Sequence, residues 1–348
     1  MRSEIRIGKR TIGDGHPLFI TAECGVTCNY DMDITKKLVD TVAEAGGDAI
    51  KLIFWFPEEF MSDHAVSYEY ETVNGKTSEN MFEMLDKLRF SLDEWKDLKK
   101  YADSRGVILF STVNCPSGIV WAEAIGLEAY KLSSWDFNHL PLWRKIAKIG
   151  KPMIIDTGPV GVLDVSKVLT VMQEEGNDQA ILVHCYHTDL PEEKNMRAIP
   201  YMKKAFGTVV GFSAKNYRDE MDIAAIPLGA TFLEKRLTLK RDLPGHHHAI
   251  SKEPEEFKAY VEMVRRVHAS LGVEALIPSR ADLAERKEMF RHLCANRDLK
   301  KGTILKEADL EGKRPETSGI SPEHEPWFIG RELKRDLKEN EAIAWKDV

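Results

Sequence analysis

Gly46-Gly47-Asp48-Ala49-Ile50-Lys51-Leu52 holds the plan of the chain in miniature: a glycine pair, a short apolar run, and a lysine set inside that run. The glycines stand just past the amphipathic stretch Asp33 to Ala45, where a left-handed helix cap is wanted. The run after them is continuous rather than alternating, as expected of a strand covered on both faces. A lysine is out of place in such a strand unless it points into a polar mouth.

The same unit recurs outward in both directions. Strands are predicted at Leu18 to Glu23, Asp48 to Leu52, Val107 to Thr112, Ala129 to Leu132, Pro152 to Asp156, Ala180 to His184, Val209 to Ser213 and Ala230 to Lys235. Amphipathic stretches such as Leu92 to Ser104, Val162 to Glu175 and Asn195 to Phe206 lie between them, and Gly106, Gly150 and Gly176 repeat the stop signal. Alternating strand and helix predicts a parallel sheet, and eight repeats predict a TIM (β/α)8 barrel. The runs end in Glu23, Lys51, Thr112, Lys131, Asp156, His184, Ser213, and Glu234 with Lys235 and Arg236. Strand ends of a barrel converge on one rim, so these residues are expected to face one small ligand. Their many cations point to an anionic one.

Composition narrows the function classes. The 348 residues are 43% hydrophobic and 30% charged, with a net charge of −7, which disfavours a nucleic-acid or anionic-membrane surface. No apolar run is long enough to span a membrane and no export signal stands out, so a cytoplasmic protein is expected. Five scattered cysteines fit a reducing compartment. Cys24 and Cys28 form a lone C-x3-C, a weak zinc signal beside the simpler reading of buried thiols.

A long insertion, Trp55 to Phe90, follows the second strand and reads as a substrate-covering loop. After the eighth strand come the His-rich turn Pro244 to His248 and a helix from about Pro254 to Leu271. The reading then divides the chain into a barrel over 1–275, a linker over 276–290 and a small β-rich module over 291–348. The module repeats Arg-Asp-Leu-Lys at Arg297 to Lys300 and at Arg335 to Lys338, which predicts a pseudo-duplicated fold. About 58 residues are marginal as an independent core, so docking on another surface is expected.

Taken together, Ala22-Glu23-Cys24-Gly25, Gly47 to Lys51, Phe110-Ser111-Thr112, Tyr130 to Ser134, Lys151 to Ile155 with Thr157-Gly158, His184-Cys185, Gly211-Phe212-Ser213, Gly229-Ala230 and Glu234-Lys235 resemble the sialic acid (N-acetylneuraminate) synthase family. In the tail, Lys300-Lys301-Gly302, Lys313-Arg314-Pro315 and Gly319 to Pro322 resemble that family's antifreeze-like (SAF) domain. The resemblance implies condensation of phosphoenolpyruvate with an N-acylated hexose and release of phosphate. It further implies a domain-swapped homodimer in which Arg314 caps the partner's sugar site. Lys51, Lys131, Thr112 and Ser134 match its phosphoenolpyruvate-holding positions, with Ser213 beside them, and Glu23 matches its catalytic carboxylate.

The family's divalent metal, manganese or magnesium, is held by two histidines, and here those positions are Lys215 and Arg236. Charged ammonium and guanidinium groups are donors only and cannot ligate a cation, so no metal ligand is assigned. Asp156 replaces a serine of the pattern, His187 an asparagine, and His247 an aspartate, so an altered substrate pocket is expected. Three readings follow. Lys215 and Arg236, with about +2 of formal charge, polarise an oxyanion directly; or a metal has moved to His246, His247 and His248 with His187; or the condensation is lost, leaving a lysine-dependent aldolase or lyase, or a non-catalytic homologue. Plainer roles stand beside these: Glu23 as a structural ion-pair partner of Lys51, His184 as a satisfied core histidine, Thr112 and Ser134 as strand-end hydrogen-bonders.

Overall fold

Side chains alternate across a strand, and that period of two decides which residues meet inside the barrel. The computed structural model describes residues 1–314 and 319–348. A first hairpin, β1 (Glu4–Ile7) and β2 (Arg10–Gly13), precedes β3 (Phe19–Glu23) and β4 (Ala49–Ile53). A second hairpin is made of β5 (Ser67–Thr72) and β6 (Gly75–Asn80), and then come β7 (Ile108–Thr112), β8 (Tyr130–Leu132), β9 (Met153–Asp156), β10 (Ala180–His184), β11 (Val209–Ser213) and β12 (Phe232–Arg236). β3, β4 and β7 to β12 close into a barrel of parallel neighbours, β12 pairing back with β3.

One parity of these strands fills the interior. Phe19, Phe110, Ile154, Val183, Val209 and Phe232 form a buried layer, joined by Ile5, Ile7 and Ile12 of the first hairpin. The hairpin therefore plugs the barrel, an element for which the alternation Ile5, Ile7 was the available sign. The other parity, including Ile20, Ile50, Leu109, Met153, Leu182 and Leu233, joins the helices in a larger core. Each fully buried aliphatic or aromatic side chain contributes about 1.5–3 kcal/mol.

The helices begin where local chemistry tells them to. Leu92–Ser104 starts in a reciprocal box: Glu94 N donates to Ser91 Oγ at 3.3 Å, and Ser91 N to Glu94 Oε2 at 2.7 Å. Its buried face carries Trp95, Leu98 and Ala102. Ser91→Ala should lower the unfolding free energy by about 1 kcal/mol. An unchanged denaturant midpoint would show that the cap contributes nothing.

The insertion after β4 is more regular than a loop. Short helices at Pro57–Phe60 and Met81–Asp86 flank the antiparallel pair β5 and β6, in which Tyr68 faces Glu79 and Tyr70 faces Thr77. The two-residue turn is Val73-Asn74, with Thr72 pairing Gly75 at the start of β6, and both the Asn74-Gly75 dipeptide and the alternation around Tyr68 and Tyr70 were present as hairpin signals. The Tyr68 and Tyr70 rings lie 5.5 and 5.7 Å from that of His246, so the hairpin leans on the His-rich turn.

The chain divides into two compact units, Met1–Gly272 and Val273–Val348. The second holds a helix, Arg280–Met289, within the stretch read as linker, and the antiparallel pair β13 (His292–Ala295) and β14 (Leu310–Lys313). Its own core includes Leu293, Leu299, Leu305, Phe328, Leu333 and Leu337. The repeat read in the sequence is a structural one. Leu299 bridges Leu337, Asp336 accepts from Lys300 Nζ (2.7 Å) and Lys301 N (2.9 Å), and Asp298 accepts from Lys338 Nζ (2.8 Å) and Glu339 N (2.9 Å). Arg297 pairs with Asp309 as Arg335 does with Asp347. Pro315 of the Lys313-Arg314-Pro315 motif lies outside the described residues. Among the described residues no helix is long and apolar enough to cross a membrane.

Candidate active site

Two residues beyond the interior layer, the same parity turns polar. Glu23 stands two positions after Thr21, Lys51 two after Ala49, Thr112 two after Phe110, Lys131 two after Ala129, Asp156 two after Ile154, and Glu234 two after Phe232. Strand register then sets Arg236 beside Glu23 beside Lys51, Thr112 beside Lys131, and Ser213 beside Glu234. Lys235 and His184 have the opposite parity, so they leave the rim to which the strand-end reading assigned them. Lys235, fully buried, bonds Asp222 Oδ2 at 2.7 Å on the helix side, and His184 Nε2 meets the Lys194 carbonyl at 2.8 Å.

Glu234 is the hub of the rim. Lys51 Nζ donates to its Oε1 at 3.2 Å, Ser213 Oγ to the same oxygen at 3.2 Å, and Lys131 Nζ to its Oε2 at 2.8 Å. Burial alone would raise its pKa, but the Lys131 and Lys51 charges outweigh burial and hold the carboxyl down at about 2. The sequence reading named Glu234 as a strand end without giving it a role. The signal for one was its parity with Arg236.

Lys131 also meets Asp156 Oδ1 at 2.6 Å, and Lys51 meets Glu23 Oε1 at 3.5 Å. Burial works against the Lys131 ammonium, yet the Asp156 and Glu234 charges overcome it and its pKa rises. Asp156 moves up as well, chiefly through burial, with Lys131 opposing and Glu234 reinforcing the shift.

Glu23 faces two ways. Its Oε1 accepts from Gly25 N at 2.8 Å, and a side chain at Gly25 would sit 2.8 Å from that oxygen and 2.4 Å from Ile53, so only glycine fits there. Its Oε2 is buried and has no hydrogen-bond partner among the described residues, and Arg236 Nε lies 4.0 Å away. Arg236 Nη1 is buried and unpartnered in the same sense. An orphaned acceptor and an orphaned donor thus stand together in the rim.

The remaining candidates lie around this centre. Thr112 and Ser134 are buried, and Ser134 approaches Gly158 so closely that a Cβ there would lie 2.3 Å from its Oγ. The His187 ring packs tilted against that of Trp135, centroids 4.9 Å apart, and its pKa is lowered by burial and by the Lys215 and Arg236 charges. Lys215 Nζ is tied at 3.3 Å both to Asp189 Oδ2 and to the His187 carbonyl, at the edge of the rim. His247 adopts a left-handed backbone (φ 70°), and its buried Nδ1 has no partner among the described residues. Burial and the Arg236 charge push its pKa well down, and they push His246 to about 4. A cavity of about 720 Å³ opens nearby, lined by Thr157, Gly158, Cys185, Tyr186, His187 and Tyr201 among others. Arg314 belongs to the second unit, where its Nε donates to the Met289 carbonyl at 2.7 Å.

These side chains do not fit a divalent cation. The group nearest the free Glu23 oxygen is a guanidinium, and Lys215 adds an ammonium; neither has a lone pair to give. In the His-rich turn His248 is committed to Thr238 Oγ1 (2.7 Å) and Asn29 Oδ1 (3.0 Å), which leaves His246 and His247, short of the three protein ligands that a catalytic zinc-type site uses. Among the described residues no three His, Cys, Asp or Glu side chains gather as a metal cluster.

Fold and rim define a TIM-type barrel with a charged mouth, followed by a small β-rich domain. Residues 38–275 match the NeuB family and residues 291–348 the SAF domain, and the chain belongs to the NeuB family of sialic and related acid synthases. It is 33% identical to an uncharacterised protein of Methanocaldococcus jannaschii, over 99% of this chain and 98% of that one. It is 30% identical to the N,N'-diacetyllegionaminic acid synthase of Campylobacter jejuni, over 93% and 98%. The crystal structure of the spore coat polysaccharide biosynthesis protein SpsE of Bacillus subtilis matches with a TM-score of 0.66 at 26% identity, covering 99% of both chains.

Proposed function

We propose that this enzyme condenses phosphoenolpyruvate with the aldehyde of an N-acylated hexose and releases phosphate, without a metal ion. The observation that carries the reading is the buried, unpartnered pair Glu23 Oε2 and Arg236 Nη1. A guanidinium aimed at an aldehyde oxygen stabilises the charge that develops there as the enolpyruvate carbon attacks, and a carboxylate beside it handles the proton of the water that adds next. That water addition at the former enol carbon is followed by loss of phosphate, which balances the reaction. Lys51, Lys131, Thr112, Ser134 and Ser213 serve the carboxylate and phosphate of the enolpyruvate. Lys215, His187 and His247 line the sugar side, with the neighbouring cavity for the rest of the sugar, and Asp156, paired with Lys131, borders the enolpyruvate site.

The metal requirement of the family is replaced in this reading by Arg236 and Lys215. The enzyme works in the cytoplasm as a domain-swapped homodimer, Arg314 completing the partner's site. A Schiff-base aldolase is less favoured, because such chemistry needs a free amine and two carboxylates keep Lys131 protonated.

Phosphate release from phosphoenolpyruvate with a panel of N-acylated hexoses, assayed with and without chelator, tests the reading. Turnover is expected to survive the chelator unchanged. Abolition by chelator with recovery on manganese would overturn the roles given to Arg236 and Lys215.

A further inference from the structure

Around the two rim lysines carboxylates outnumber ammonium groups, with Arg236 standing 4.0 Å off at Glu23. Two ammonium groups, Lys51 and Lys131, face three carboxylates, Glu23, Glu234 and Asp156, at 2.6 to 3.5 Å. A phosphate brought to Lys131 would add a further anion to a cluster whose side chains are largely buried, where charges are weakly screened. We propose that Asp156 makes anion binding at this rim proton-coupled: the incoming phosphate takes its place at Lys131, and Asp156 accepts one proton from solvent as it gives way. The proposal rests on the enolpyruvate-binding reading above and adds to it a rule for when that ligand binds.

Asp156 is the carboxylate suited to the exchange. Glu234 is held by two lysines and Ser213, and its side chain is 4% exposed. Glu23 is anchored to Gly25 N. Asp156 has Lys131 as its ion-pair partner, and at 18% side-chain exposure it is the most open of the three. The titratable groups that face it are Lys131 from β8, Glu234 from β12, Lys51 from β4, and Cys185 just past β10. Burial and the Asp156 charge hold the Cys185 thiol protonated, so it has no vacancy for a proton. The pKa of His187, beyond Gly158, is lowered by burial and by Lys215 and Arg236. Losing the Lys131 ammonium to the phosphate removes the strongest interaction that favours the ionised Asp156; the Lys51 charge still favours that form, while burial and Glu234 go on favouring the acid.

The sign follows from linkage: if binding takes up a proton, affinity falls as pH rises, by up to about tenfold per unit. Calorimetry on the full chain reads this directly. Phosphoenolpyruvate titrated near neutral pH in two buffers of different ionisation heat should give heats that differ in the direction of proton uptake. Sulfate, which does not itself titrate in this range, should bind several-fold more weakly at about pH 7.5 than at about pH 5.5. In Asp156→Asn, and in Asp156→Ser as a second replacement, the buffer dependence should vanish and the sulfate profile should flatten. Buffer-independent heats in the unaltered protein, which need no variant to measure, would overturn the proposal. So would an unchanged proton uptake in both variants. If neither phosphoenolpyruvate nor sulfate binds at any pH, the enolpyruvate reading fails and this inference falls with it. Binding without proton uptake removes the coupling alone.

Discussion

Glu234→Gln is expected to lower the unfolding free energy by about 3 kcal/mol at neutral pH, the scale on which removing one member of a buried ion pair is felt. Its two oxygens serve Lys51 and Ser213 on one side and Lys131 on the other. An amide can accept on one side only, and its NH2 would face an ammonium, donor against donor. The pH dependence has a definite sign. The carboxyl is held at about 2, below its ordinary 4.5, so its contribution is fully present above about pH 4.5 and is lost as pH falls toward 2. Urea unfolding at neutral pH and in acid should therefore show the two proteins converging as pH falls. A neutral-pH difference within about 0.5 kcal/mol, the range of an ordinary surface substitution, would refute the hub.

The second large effect is on catalysis. Glu23→Gln is expected to slow phosphate release by about 10²–10⁴, the usual worth of a positioned acid or base. Folding should survive, because a glutamine oxygen can still accept from Gly25 N and Lys51 keeps Glu234. Steady-state kinetics alongside phosphoenolpyruvate calorimetry separates the two roles. The loss should lie in turnover, with ligand binding largely retained. Turnover within about tenfold of the unaltered enzyme would return Glu23 to the structural ion pair that its contact with Lys51 also permits.

The barrel was legible because its signals are local. Glycine stops, continuous apolar runs and lysines in improbable places are features of a few neighbouring residues each, and the eight barrel strands lie close to where those features put them. The hairpins β1-β2 and β5-β6 were missed although alternation marked both. Short exposed or half-exposed strands carry a weak signal beside eight strong ones. In the second unit, Arg-Asp-Leu-Lys repeated at 297 and 335 was enough to read duplication, since each aspartate caps the other repeat.

At the rim the division is sharper. The sequence by itself determined the inventory: which charges the strand ends carry, and that Lys215 and Arg236 stand where donors only can act. It could not say which of Glu234, Lys235 and Arg236 share a face, or that one carboxylate binds two lysines 103 and 183 residues away. Those facts come from strand parity and barrel closure, which bring β12 against β3 and set Lys235 outward among the helices. Residue type is written position by position, whereas partnership depends on register across neighbouring strands, and register exists only once the sheet has closed.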